Sequence, residues 1–160
     1  MAPATTDLCD QYSDSLQIAE PIFTDFGGAT TCAGPVSTVK CFEDNSLVRE
    51  TLQTPGQGRV LVIDGGASER CALLGDNMAQ LAIDNSWHGV IIYGCIRDAE
   101  QLMELDIAIK ALNTHPKRSR KQNTGEREVS VHFAGARFTP GAWVYADLDG
   151  IVVADNELAL

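Results

Sequence analysis

Residues 58–102, "GRVLVIDGGASERCALLGDNMAQLAIDNSWHGVIIYGCIRDAEQL", decide the fold class. Two β-branched and aliphatic runs, "RVLVIDGG" and "HGVIIYG", flank the segment "GDNMAQLAIDNS". A run that is apolar at consecutive positions belongs to a strand covered on both faces. Between the runs, Met78, Leu81 and Ala82 recur at i, i+3 and i+4, the spacing of an amphipathic helix. Strand, helix and strand in this order make a βαβ unit with parallel pairing.

The pattern continues on both sides. Downstream, "DAEQLMEL" reads as a short helix and "DIAIKAL" as a third strand. Upstream, "FGGATTCAGPVSTVKCF" bends at its glycines and then runs as a strand through Val36, Val39 and Cys41. Asp44 or Asn45 is placed to cap a helix over "SLVRETLQ", and "TTDLCDQYSD" reads as an N-terminal helix with a threonine cap. The last third changes character: "EVSVHFAGARF", "WVYADLDG" and "IVVA" alternate like strands, with a tight turn at Asp149-Gly150. The expectation is one α/β domain over 1–160, with a mixed β structure laid against a βαβ core.

Composition narrows the function classes. A chain of 160 residues with 44% hydrophobic content builds one core. Its net charge of -10 repels phosphate backbones and anionic membranes, so neither nucleic acid nor membrane is an expected partner. Six of the twelve Lys and Arg fall between Lys110 and Arg127, and the plain reading of that run is a solvated loop. The five cysteines, Cys9, Cys32, Cys41, Cys71 and Cys95, form no C-x-x-C pair and suit buried free thiols in a reducing cytosol. The N-terminus lacks the pattern of a signal peptide and no apolar run approaches a bilayer span, so a soluble, cytoplasmic protein is expected.

Ligands of α/β sheets gather beyond the carboxyl ends of the strands, where helix N-termini present free amides. Two helix starts meet that description here, Gly75-Asp76-Asn77-Met78 and Arg97-Asp98. The 75–78 turn can hold a carboxylate with its amides, Arg97 offers a planar fork for a carboxylate or enolate oxygen, and Asp98 is a hard oxygen ligand for Mg²⁺ or Mn²⁺. The competing reading is that Asp76 and Asp98 each cap a helix. Capping leaves Arg97 unexplained, because a helix N-terminus disfavours a cation.

The segments "VKCFEDNSLVRETLQTPGQGRVLVIDGGAS", "NSWHGVIIYGCIRDAEQLMELDIAIKAL" and "YADLDGIVV" resemble the RraA-like family, which contains the regulator of ribonuclease activity A and the 4-hydroxy-4-methyl-2-oxoglutarate aldolases. The resemblance spans residues 7–153 and implies a swivelling β/β/α type of α/β/α sandwich with a mixed sheet, a homotrimer, and sites between subunits. Aldolase members carry an acidic residue, twenty intervening residues, then Arg-Asp, matched here by Asp76, Arg97 and Asp98. It further implies substrate at Gly75, Asp76, Asn77, Met78 and Arg97, and a divalent metal on Asp98. The implied reaction is class II aldol cleavage of 4-hydroxy-4-methyl-2-oxoglutarate to pyruvate, with oxaloacetate decarboxylation as a secondary activity. The second reading is a regulator that binds ribonuclease E without metal chemistry, a subgroup matched by "LCDQY" and "EPIF". Loss of the carboxylate after the arginine is expected there, and Asp98 keeps it.

No histidine presents itself as the base; Asp76, or a water near it or the metal, is the alternative. His88 reads as packing at a strand entry, His115 as exposed before a proline, and His132 as a structural strand residue. Asp64-Gly65-Gly66 reads as a backbone turn, and Asp147 with Asp149 as turn chemistry rather than a metal pair. Glu100 is left outside the site, because a further acidic position seen in some aldolase-like members is Gln101 here.

Overall fold

The structure, a computed structural model, describes residues 2–160. In chain order the elements are α1 (Thr5–Tyr12), a single 3-10 turn (Ser13–Ser15), β1 (Gln17–Ile18), β2 (Thr24–Asp25), β3 (Cys32–Lys40), α2 (Ser46–Leu52), β4 (Val60–Asp64), β5 (Ala72–Leu74), α3 (Asp76–Asp84), β6 (Gly89–Ile96), α4 (Ala99–Leu102), β7 (Ala108–Thr114), β8 (Glu126–Arg127), β9 (Val131–Phe133), β10 (Ala136–Phe138), β11 (Trp143–Asp147) and β12 (Gly150–Ala154).

The main sheet runs β1-β12-β11-β3-β4-β6-β7-β2, with β5 beside β6 and β8 beside β3. Strands β3, β4, β6 and β7 are parallel, as the apolar runs predict, and β11 and β12 extend the sheet antiparallel. Strand β3 serves both halves. Its first part, Cys32–Pro35, pairs with β11, and Val36–Lys40 pairs with β4. Gly34 permits the close approach of the β4 entry, since a Cβ there would lie 2.1 Å from the Gly58 carbonyl oxygen.

Successive residues of each central strand feed opposite cores. Leu61, Ile63, Val90, Ile92 and Ile109 face α2, α3 and α4, while Val60, Val62 and Ile91 face the β9–β10 hairpin through Phe133 and Phe138. Each of these large apolar side chains contributes roughly 1.5–3 kcal/mol by leaving water. Helix α1 covers the outer face of the antiparallel arm, packing Leu8 on Tyr145 and Val152. The mixed α/β expectation holds, with helices on one face of the parallel strands and a β layer on the other.

Three local expectations need correction. No threonine side chain caps α1; instead the Asp147 carboxylate does so from β11, accepting from the Thr5 amide at 2.8 Å and the Thr5 hydroxyl at 2.7 Å. The same carboxylate takes the Asp149 amide at 3.0 Å, so Asp147 serves a turn and a helix end together. The β11–β12 turn centres on Leu148-Asp149, with Gly150 already paired to Asp147 at φ 154°. The "DAEQLMEL" helix spans only Ala99–Leu102, because the next residues tighten into turns, the Glu104 amide donating to Gln101 and the Leu105 amide to Leu102, before β7 begins at Ala108.

Asp147→Ala removes a shared cap and is expected to cost about 1 kcal/mol of stability, measured by urea unfolding. Proteolysis at the α1 segment is expected to accelerate in the same variant.

Candidate active site

Four loops that follow parallel strands converge at one end of the sheet. Beyond β3 come Asn45 and, on α2, Arg49; beyond β5, residues 75–78; beyond β6, Arg97 and Asp98; beyond β7, Arg118 and Lys121. They line a cavity of about 200 Å³. This is the carboxyl end of the parallel strands, where α/β sheets bind ligands. Strand β6 carries one extra residue between Ile92 and Cys95 relative to β7, and this bulge sits just before the Arg97-Asp98 pair.

Asp98 adopts φ 61° and ψ 43°, a left-handed conformation that few non-glycine residues hold. It stands at the start of α4 yet makes no cap bond there. Its Oδ2 instead accepts the Asp76 amide of α3 at 3.0 Å. The capping reading was therefore half right: Asp98 caps a helix, but the one that belongs to the other half of the site. Its Oδ1 takes no donor from the described residues and opens into the cavity.

Gly75 makes this bond sterically feasible. Its φ of −128° and ψ of −168° are ordinary extended values that any residue adopts. Space is the constraint, since a Cβ would lie 2.5 Å from Asp98 Oδ2 and 3.4 Å from Arg97 Cγ. Asp76 is the first residue of α3 and makes no side-chain cap, so its carboxylate remains available. Among the described residues Arg97 forms no ion pair, although its backbone amide is held by the Leu74 carbonyl at 3.0 Å. The site thus contains an uncommitted guanidinium, an uncommitted carboxylate, and a half-committed carboxylate.

Four residues lining the cavity were not legible as site residues: Asn45, Arg49, Arg118 and Lys121. The basic segment expected to be a solvated loop is fastened to the protein. Its backbone bonds to Ala72, Glu43 and Asn45, and buried Asp44 accepts the Gln122 amide at 2.7 Å and the Thr124 hydroxyl at 3.0 Å. Burial raises the Asp44 pKa, but donors from the Ser46 side chain and amide, Gln122 and Thr124 outweigh it and hold the carboxyl below its ordinary range. The cavity collects four cations, Arg49, Arg97, Arg118 and Lys121, against Asp76 and Asp98, inside a chain of net charge -10. Such a patch focuses a positive potential on small anions.

The profile of the RraA-like family, Aldolase/RraA, matches residues 5–153. The chain belongs to this family. A relative from Alkalilimnicola ehrlichii is 58% identical over 99% of this chain and 98% of its own, and one from Halorhodospira halophila is 54% identical over 100% of both. Both bear the provisional name 4-hydroxy-4-methyl-2-oxoglutarate aldolase. Among solved structures, the RNA-processing inhibitor RraA from Thermus thermophilis is 41% identical, with a TM-score of 0.95 over 99% of this chain and 96% of that one. A Geobacillus kaustophilus structure described as an S-adenosylmethionine:2-dimethylmenaquinone methyltransferase is 49% identical, with a TM-score of 0.94 over 98% and 97% of the two chains. The family therefore spans several named functions on one fold, and the site must decide between them.

None of the three histidines lines this cavity. His88 is exposed rather than packed, with Nδ1 2.8 Å from the Ala33 carbonyl oxygen at the opposite end of the sheet. His132 points to solvent from β9, and His115 accepts the Lys117 amide within its own turn. Asp64 accepts the Gly66 amide at 3.0 Å, a turn as expected. All five cysteines are free, and burial pushes the Cys32 and Cys41 thiols up to about 12, leaving them protonated and inert. A larger cavity, about 700 Å³, lies at the amino ends of the strands beside His88, Trp143 and Tyr145. It carries none of the Arg and Asp residues above, so size is a poor guide here. No helix of the described residues is long and apolar enough to cross a membrane.

Two outcomes follow from this geometry. Gly75→Ala is expected to cost about 1–3 kcal/mol, and less than about 1 kcal/mol in an Asp98→Ser background that removes the clash. Urea unfolding of the four proteins of that cycle checks it. Asp44 has a depressed pKa, so its contribution is complete above the ordinary value of 3.8 and is lost as pH falls below it. Asp44→Asn is expected to be less stable at neutral pH, with a flatter acid limb in unfolding followed from pH 6 to pH 2.

Proposed function

We propose that this chain is a divalent-metal-dependent lyase that cleaves 4-hydroxy-4-methyl-2-oxoglutarate and similar 4-hydroxy-2-oxo acids to pyruvate. The observation that carries the reading is the junction of Arg97, Asp98 and the α3 amides in one small cationic cavity. Full-length relatives named for that aldolase support it, at 52–58% identity.

The donor set fits a hard divalent ion held by few protein atoms. Among the described residues no three His, Cys, Asp or Glu side chains cluster as a chelate. Asp98 nevertheless leaves one carboxylate oxygen open to the cavity, and one carboxylate with waters and substrate oxygens is a common Mg²⁺ arrangement. When bound, Mg²⁺ or Mn²⁺ would supply Lewis-acid stabilisation of the charge that develops on a 2-oxo acid.

The protein's own residues do the rest. With the Asp76 amide held by Asp98, the amides of Gly75, Asn77 and Met78 at the α3 N-terminus receive a substrate carboxylate, aided by the helix dipole. Arg97 donates charge-assisted hydrogen bonds to the 2-oxo acid end, and these strengthen as the C–C bond breaks and enolate charge builds. Asp76, at the mouth of α3 with an uncommitted carboxylate, is placed to take the 4-hydroxyl proton directly or through a water. Loss of CO₂ from oxaloacetate leaves the same enolate, so decarboxylation belongs to the same proposal. So does a homotrimer with the cavity at subunit boundaries, which sedimentation velocity would show.

A second reading rests on the likeness to the RNA-processing inhibitor. With a net charge of -10 such an inhibitor would grip the ribonuclease rather than its RNA. Pull-down with ribonuclease E tests it independently of catalysis.

Pyruvate release from 4-hydroxy-4-methyl-2-oxoglutarate and from oxaloacetate is expected to require Mg²⁺ or Mn²⁺ and to stop with EDTA. Asp98→Ala and Arg97→Ala are each expected to lower kcat/KM by about 10²-fold or more. Full turnover in Asp98→Ala, or in EDTA, overturns the assignment.

A further inference from the structure

The lyase reading leaves three cavity cations without a role, and the basic segment's attachment to the protein is stronger than a solvated loop needs. Lys117, Arg118, Arg120 and Lys121 lie within five positions, and like charges so close repel one another. The chain nevertheless fastens this segment through backbone bonds, with Arg118 and Lys121 lining the cavity. The Ala72 amide donates to Lys117 at 2.8 Å, and the Arg120 amide donates to Glu43 at 2.8 Å. Ser119, buried among these charged neighbours, accepts the Asn45 amide at 3.1 Å.

The anchor of this arrangement is Asp44, which is 1% exposed. One oxygen takes the Ser46 amide and hydroxyl at the start of α2; the other takes the Gln122 amide and the Thr124 hydroxyl. It therefore clamps the end of the basic segment to the loop after β3. Its neighbour Asn45 extends the clamp into the cavity. Asn45 Oδ1 accepts Lys121 Nζ at 3.0 Å, while Asn45 Nδ2 reaches the Leu73 carbonyl at 3.1 Å and Met78 Sδ at 3.2 Å. Lys121 is thereby fixed relative to the first turn of α3, which is the opposite wall of the site.

We propose that Asp44 is a positioning residue for a second anion subsite, in which Arg118 and Lys121 take the carboxylate of the substrate remote from the bond that is cleaved. The proposal rests on the lyase reading and deepens it. The α3 amides and Arg97 hold the 2-oxo acid end, and the clamped basic wall holds the far end. A 2-oxo acid with a second carboxylate engages both walls; one with a single carboxylate engages only the first. Selectivity for dicarboxylic substrates is then a property of a segment that touches no reacting atom. Asp44 touches no substrate and acts through the placement of Arg118 and Lys121.

The test uses the purified, folded protein in two assays. Calorimetry with Mg²⁺ present compares 2-oxoglutarate, which has two carboxylates, with pyruvate, which has one. Kinetics compare 4-hydroxy-4-methyl-2-oxoglutarate with the monocarboxylic 4-hydroxy-2-oxopentanoate. Wild type is expected to prefer the dicarboxylic member of each pair by about tenfold or more, the size of a charge-assisted hydrogen bond. Arg118→Gln and Lys121→Gln, both at exposed positions, are expected to collapse that ratio chiefly through KM rather than kcat. Asp44→Asn is expected to collapse it likewise, with faster amide exchange across residues 117–124. Unchanged ratios in the Arg118 and Lys121 variants overturn the proposal, as does an Asp44→Asn protein that loosens the segment and keeps the wild-type ratio. If wild type turns over neither substrate but the calorimetric preference exists and falls in the variants, the subsite stands and the lyase reading falls.

Discussion

The bond from the Asp76 amide to the Asp98 carboxylate, made across a glycine, joins the two halves of the site. It links the end of β6 to the beginning of α3, elements that are neighbours only because β5 and β6 pair in parallel. Three costs converge on it. Asp98 takes a left-handed backbone, Gly75 forgoes a side chain at a helix end, and Arg97 lies where the α3 dipole is unfavourable to it. A helix cap is worth about 1 kcal/mol and does not by itself account for all three. Seven other non-glycine residues also take positive φ, so it is the meeting of all three costs at one contact, rather than the backbone of Asp98 alone, that marks this junction.

The same junction sets the electrostatics. Asp98 spends one oxygen on the helix and keeps the other for the cavity, so the site is short of negative charge. Around it stand four cations, two of them on the segment held by Asp44. A divalent cation alone meets net repulsion there. Under the proposed function a 2-oxo acid would bring the missing negative charge, so metal and acid would assist each other's binding.

Much of the fold was legible because the parallel strands advertise themselves: Val60 to Ile63 and Val90 to Ile92 are apolar at every position, as double coverage demands. The Arg97-Asp98 helix start was legible for the same reason, since it follows such a run directly, whereas the Gly75 start follows β5, a three-residue strand too short to show in the pattern. What was hidden depends on contacts distant in sequence. Asp147 caps α1 from 142 positions away, and Asp98 caps α3 from 22 positions away, whereas sequence reading assigns caps to adjacent helices. The basic segment read as solvent-facing because charge runs usually are. Its tether, Asp44, is a residue that by type seemed only a local cap. The buried Ser119 within the charged run was the available signal, a small hydroxyl amid four cations.

Relatives of this chain carry names as different as aldolase, RNA-processing inhibitor and methyltransferase. A shared fold accommodates all three, so the cavity's charge pattern is the more discriminating observation. On the proposed lyase reading, that pattern would make the divalent ion and the 2-oxo acid mutually dependent ligands, a property that neither a protein-binding surface nor a methyl donor site requires. Titration of Mn²⁺ into the protein, followed by electron paramagnetic resonance with and without pyruvate, addresses it most directly. The account predicts weak Mn²⁺ binding alone, tightened by about tenfold or more when pyruvate is present, and loss of that tightening in Asp98→Ala. Mn²⁺ affinity that is indifferent to pyruvate, or to the Asp98 carboxylate, would contradict it.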